Sequence, residues 1–137
     1  MVELRTTRHS VYQTAYHIVW IPKYRRRILL GAVAQRARAV LEEVTRRYGW
    51  PLLALEVQPD HLHLFLTIPP TLAVSEAVKL LKGISARKLL VEFPQLRRLV
   101  RKDDLWAPSY YVGSAGQVSA ETIRRYIERA EHIRTRK

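Results

Sequence analysis

Apolar and polar positions alternate in HLHLFLTI, residues 61–68: Leu62, Leu64, Leu66 and Ile68 fall in one row, and His61, His63, Phe65 and Thr67 in the other. Successive side chains on a strand point to opposite faces, so this period of two predicts a strand with one purely aliphatic side. PLLALEV, 51–57, is a second short apolar run, and Gln58, Pro59 and Asp60 between the two have the length and chemistry of a turn. The pair is therefore predicted to form an antiparallel β-hairpin. VYQTAYHIVWI, 11–21, is rich in β-branched and aromatic residues and ends at Pro22, which predicts another strand, and SYYVGS, 109–114, predicts the last.

Elsewhere the period is helical. Val33, Ala37, Val40, Leu41, Val44 and Tyr48 follow one another at helical spacing, with Gly49 placed as a C-cap. From Val74 to Leu90, Val74, Ala77, Val78, Leu81 and Ile84 share a face, and Lys79 and Lys82 are expected on the opposite, exposed one. Ser119 is a fair N-cap for a terminal helix over about 119–137. The order strand, helix, strand, strand, helix, strand predicts an α+β, ferredoxin-like βαββαβ fold: a four-stranded antiparallel sheet with two helices on one face, plus the terminal helix. No repeat or linker divides the chain, so residues 1–137 are expected to be a single domain with its core over about 9–115.

Charge narrows the partner. Lys and Arg number 24 against 12 Asp and Glu, a formal net charge of +12, which points to a polyanion and first of all to nucleic acid. The apolar runs are too short to span a bilayer and MVELRTTRHS lacks a signal-peptide core, so a soluble intracellular protein without membrane association is expected. The chain has no cysteine, which excludes disulfides, thiolate metal sites and a cysteine nucleophile. Four cations cluster in KYRRR: Lys23, Arg25, Arg26 and Arg27 suit phosphates, and Tyr24 could stack on a base.

The alternation also gives the histidines a direction. If the aliphatic row faces the helices, His61 and His63 point onto the uncovered face from attachment points ~6.5 to 7 Å apart, within reach of one metal ion. The same placement suits two half-buried, hydrogen-bonded strand residues. His17 sits in the first strand and reads as structural, like His9 and His132. On the terminal helix Ile123, Tyr126, Ala130 and Ile133 form one stripe, where Tyr126 reads as a packing residue on physical grounds alone.

YHIVWIPKYRRRIL, PDHLHLFL, VSEAVKLLKGISARKLL and LWAPSYYVGSAGQVSAETIRRYIE, taken in order and spacing, resemble the TnpA-type single-tyrosine transposases of the smallest prokaryotic insertion sequences. These IS200-like enzymes belong to the His-hydrophobic-His superfamily, and the resemblance covers about residues 9–130. It implies that His61 and His63 bind a divalent cation, Mg²⁺ or Mn²⁺, and that Tyr126 is the nucleophile. The implied reaction cuts and rejoins single-stranded DNA through a 5′-phosphotyrosine link at hairpin-forming element ends, without a nucleotide cofactor. It further implies a homodimer with joined sheets in the prokaryotic cytoplasm, associated with the nucleoid. Lys79 and Lys82 join the basic loop as expected DNA contacts. One position departs from the pattern: Ala130 stands where the family has a metal-ligating glutamine, which implies weaker metal binding, with Glu56 and Asp60 the carboxylates at hand. Two other readings are a domesticated or catalytically weakened relative that binds palindromic genomic repeats, and a non-enzymatic RNA-binding sheet module.

Overall fold

The computed structural model describes residues 5–6, 11–12, 15–100, 104–114 and 125–129. Its strands are β1 (Arg5–Thr6), β2 (Val11–Tyr12), β3 (Ala15–Trp20), β4 (Leu52–Gln58), β5 (His61–Thr67) and β6 (Tyr111–Ser114). Its helices are α1 (Gly31–Tyr48), α2 (Val74–Glu92) and the short α3 (Arg97–Val100), and residues 125–129 are also helical. The remainder of the expected terminal helix, Ala130 included, lies outside the described residues, as do His9 and His132.

The main sheet has the order β4-β5-β3-β6 with every neighbouring pair antiparallel, the expected ferredoxin-like arrangement. The first expected strand is divided: Val11 and Tyr12 pair with Arg5–Thr6 in a separate two-stranded ribbon, and the sheet proper begins at Ala15. Both helical patterns materialise close to their expected bounds. Gly49 closes α1 in a left-handed conformation (φ 75°), its N–H donating to the Arg46 carbonyl while that of Trp50 donates to Thr45, so the last turn's carbonyls are satisfied.

The aliphatic row of β5 does face the helices. Leu62, Leu64 and Leu66 are fully buried with Ile18 and Trp20 of β3 against Ala37, Val40, Leu41 and Val44 of α1 and Ala77, Val78 and Leu81 of α2. Burying this much apolar surface is the main term that holds the layers together. Trp106, just before β6, joins this core edge-on to Trp20 and donates its Nε1–H to the buried Ser85 hydroxyl. The opposite sheet face is partly covered. Ile21, Ala107 and Ile127 form a second small apolar cluster with Tyr126 packed against it, so the 125–129 helix sits on this face.

Candidate functional site

Strand pairing assembles one group of polar side chains on the face that α1 and α2 leave open. His63 of β5 lies opposite Glu56 of β4 on one side and Val19 of β3 on the other, and Phe65 lies opposite His17. Cross-strand partners share a face, so Glu56, His17, His61, His63 and Phe65 stand together. The His63 Nε2 is 2.7 Å from Glu56 Oε1, and its Nδ1 is 3.2 Å from His17 Nε2. A carboxylate only accepts, so His63 Nε2 carries a proton here, and the His63 ring is held at both nitrogens. His17 stacks on His63 and leans on Phe65; burial, then the neighbouring His63, hold its pKa below the ordinary histidine value.

His61 is oriented differently. Its Nδ1 is 2.9 Å from Asp60 Oδ1, and the other oxygen of Asp60 accepts from Arg25 Nε at 2.9 Å. Burial pushes the Asp60 carboxyl up, but hydrogen bonds from His61 and Arg25 outweigh it and bring the pKa below the ordinary value. Arg25 thus fixes Asp60, which fixes His61. The two imidazoles of β5 lie with ring centroids 5.9 Å apart and planes 21° from parallel.

As the side chains stand, no three His, Asp or Glu among the described residues are gathered as a metal-ligand set. The donor chemistry nevertheless fits a divalent cation. His61 keeps Nε2 available while Asp60 engages the other nitrogen, the usual arrangement of a ligating histidine. His63 is steadied by His17 at Nδ1, and its Nε2 would have to give up the Glu56 contact to take the ion. Glu56 is the carboxylate at His63 Nε2, and its other oxygen accepts from Gln58 Nε2 at 2.7 Å. Two imidazoles and one carboxylate suit Mn²⁺ better than Mg²⁺.

Tyr126 is on the same sheet face, away from the histidines. Its ring centroid is 6.3 Å from that of Tyr111, whose register partner is Val19, itself opposite His63. With strands ~4.8 Å apart, Tyr111 is about 10 Å from His63 across the fully buried Val19. The Tyr126 hydroxyl is 3.0 Å from Ser109 Oγ; burial pushes its pKa up, with the serine contact acting the other way. Among the described residues no hydrogen bond or ring contact joins Tyr126 to either histidine.

The basic loop is shaped rather than extended. Tyr24 and Arg25 adopt left-handed backbone (φ 61° and 53°), a conformation that costs non-glycine residues about 1 to 3 kcal/mol each and tends to mark functional segments. Lys23 Nζ is paired with Asp104 Oδ2 at 3.0 Å and Arg25 with Asp60, whereas Arg26 and Arg27 are exposed. Tyr24 lies beneath Lys23 and Arg26 at 5.6 and 6.0 Å. Lys79 is exposed as expected. The expectation for Lys82 is corrected: it is largely buried and donates to the carbonyls of Ala107 at 2.7 Å and Ser109 at 3.1 Å. A helical wheel placed it opposite the apolar stripe, but the 105–109 segment packs over that flank of α2.

His17 and Ser109 are the residues that sequence reasoning passed over. In β3 both alternating rows are apolar, so nothing marks His17 as facing His63 until the register is known. Ser109 carries no signal at all.

Known proteins agree with this architecture. The chain matches the family model described as "Transposase IS200 like" over residues 10–130. It is 38% identical over 127 residues to the ISDra2 transposase TnpA of Deinococcus radiodurans, covering 93% of this chain and 91% of that protein. It is 32% identical over 128 residues to the transposase for insertion sequence element IS200 of Salmonella typhimurium, with 93% and 84% covered. The fold matches the 1.90 Å crystal structure of a candidate transposase from Deinococcus radiodurans R1 with a TM-score of 0.85 at 36% identity, over 92% of this chain and 97% of that one.

Proposed function

Since the chain belongs to the IS200-like transposase family, we propose that it binds the hairpin-forming ends of a mobile element and cuts and rejoins single-stranded DNA through Tyr126. The observation that carries this reading is the shared sheet face: His61 and His63 at one side of Val19, and Tyr126 beside Tyr111 at the other.

The Tyr126 oxygen attacks a phosphodiester phosphorus, the bond to the 3′-oxygen breaks, and a 5′-phosphotyrosine link and a free 3′-hydroxyl result. Attack of a 3′-hydroxyl on that link reverses the step, joins the strands and returns the tyrosine. Each step exchanges one phosphodiester for another, so no nucleotide is consumed. The phenol is partly buried against Ile21, Ala107 and Ile127; the proton it gives up as the bond forms is balanced by the one the departing 3′-oxygen takes up, and burial favours the neutral phenol until then. His61 and His63, with Glu56 beside them, would hold a Mg²⁺ or Mn²⁺ ion, which supplies charge stabilisation at the scissile phosphate when bound. Arg26, Arg27 and Lys79 are exposed and supply phosphate contacts, and Tyr24 supplies a ring for a base.

The proposed homodimer joins sheets at an edge. Among the described strands β4 and β6 each have a single neighbour, β5 and β3, so a partner sheet would join at one of these two edges. No helix among the described residues is long and apolar enough to cross a membrane.

Incubation with a single strand carrying the element's end tests the chemistry. A covalent protein–DNA adduct is expected with Mn²⁺ or Mg²⁺ and is expected to vanish in Tyr126→Phe. An adduct that survives that substitution assigns the nucleophile elsewhere.

A further inference from the structure

Lys82 is anchored on α2 in the helical layer, yet its ammonium points at backbone rather than solvent. It donates to the carbonyl of Ala107 at 2.7 Å and to that of Ser109 at 3.1 Å. Burial lowers its pKa from 10.5 to about 8, with the charge of Asp104 pulling the other way. Removing a lysine head group from water is costly, and the carbonyls of this segment are what it meets there.

The clamped segment has a defined position. Ala107 N–H donates to the Ile21 carbonyl at 2.9 Å, and Ala107 packs with Ile21 and Ile127 beneath Tyr126. Ser109, one of the two carbonyls that Lys82 holds, places its own Oγ 3.0 Å from the Tyr126 hydroxyl. Among the described residues this is the sole hydrogen bond of that hydroxyl. A continuous chain therefore runs from the Lys82 ammonium through the Ser109 main chain and side chain to the phenol oxygen.

We propose that Lys82 is a positioning residue for Tyr126, acting through Ser109, and not a DNA contact. The inference rests on Tyr126 being the nucleophile. Lys82 fixes the backbone of 107–109 against α2, and Ser109 then fixes the direction in which the phenol presents its oxygen. Position errors on the ångström scale are enough to slow a transfer reaction by orders of magnitude.

The test compares the full-length protein with Lys82→Met and Ser109→Ala. Tyrosines carry a ¹³Cζ label, and the Tyr126 resonance is identified by its loss in Tyr126→Phe. In both variants the Tyr126 signal is expected to shift while the other tyrosines stay in place. In Ser109→Ala its titration midpoint is expected to rise, because the lost contact is one that lowers it. Adduct formation at saturating single-stranded DNA is expected to fall about ten- to a hundredfold, while DNA affinity and its salt dependence change less than about twofold. An unmoved Tyr126 signal in Lys82→Met overturns the inference. So does a loss of affinity and salt slope with the saturated rate unchanged, the signature of a phosphate contact. If the parent protein forms no adduct with any cation, the proposed chemistry falls, and the Tyr126 resonance still decides the clamp.

Discussion

Glu56 Oε1 lies 2.7 Å from His63 Nε2, directly across the β4–β5 pair. A carboxylate at His63 Nε2 accepts that nitrogen's proton and is a ready oxygen donor beside it. Glu56→Ala is expected to weaken Mn²⁺ binding by about 10- to 100-fold, read by calorimetric titration without DNA. Affinity equal to the parent's would remove Glu56 from the site and leave the two histidines alone.

His17 steadies the other nitrogen of the same ring. His17→Phe keeps a ring against His63 and Phe65 but removes the contact to Nδ1, so Mn²⁺ affinity is expected to fall by about tenfold with the circular dichroism unchanged. Undiminished affinity in this variant would mean that the contact has no bearing on the cation.

The two exposed arginines of the basic loop are the ones that differ from their neighbours in having solvent-facing heads, since Lys23 and Arg25 are tied to Asp104 and Asp60. Arg26→Ala with Arg27→Ala is expected to weaken binding of single-stranded DNA and to lower the slope of log affinity against log salt by about 0.7 per lost phosphate contact. A slope identical to the parent's contradicts this role. Arg25→Ala is expected to act differently, by releasing Asp60 and through it His61, and so to show first in cation binding.

Lys82 makes stability depend on pH in a definite direction. Its pKa is about 8 in the fold against 10.5 when unfolded, so between those values the unfolded chain holds the additional proton. Stability contributed at this site therefore rises with pH across that window. Urea melts at pH 7 and pH 10 are expected to show the parent gaining on Lys82→Met at the higher pH; a constant difference would contradict a buried, proton-releasing lysine.

Much of this was legible in the residues. The alternation in HLHLFLTI is strict, so it told at once which face holds His61 and His63, and the turn at Pro59 and Asp60 placed β4 beside them. Helix α1 was equally clear because one stripe carries all of its large apolar residues. Legibility failed where contacts depend on register or on irregular chain. His17 meets His63 only because β3 pairs with β5 at one specific offset. Lys82 looks exposed on a wheel, and only the packing of the 105–109 segment buries it. Tyr126 has the spacing of a packing residue and is one, against Ile21 and Ala107; its hydroxyl contact with Ser109 is a matter of tertiary placement.

The central claim is that Tyr126 is the group that becomes joined to DNA. Its most direct measurement is mass spectrometry of the peptide recovered after reaction with a single-stranded element end and Mn²⁺. The account predicts a nucleotide mass on the peptide that contains Tyr126, attached through its phenol oxygen, and no such peptide when His61 and His63 are both replaced by alanine. A covalent nucleotide on any other residue, or one that forms undiminished without the two histidines, would contradict it.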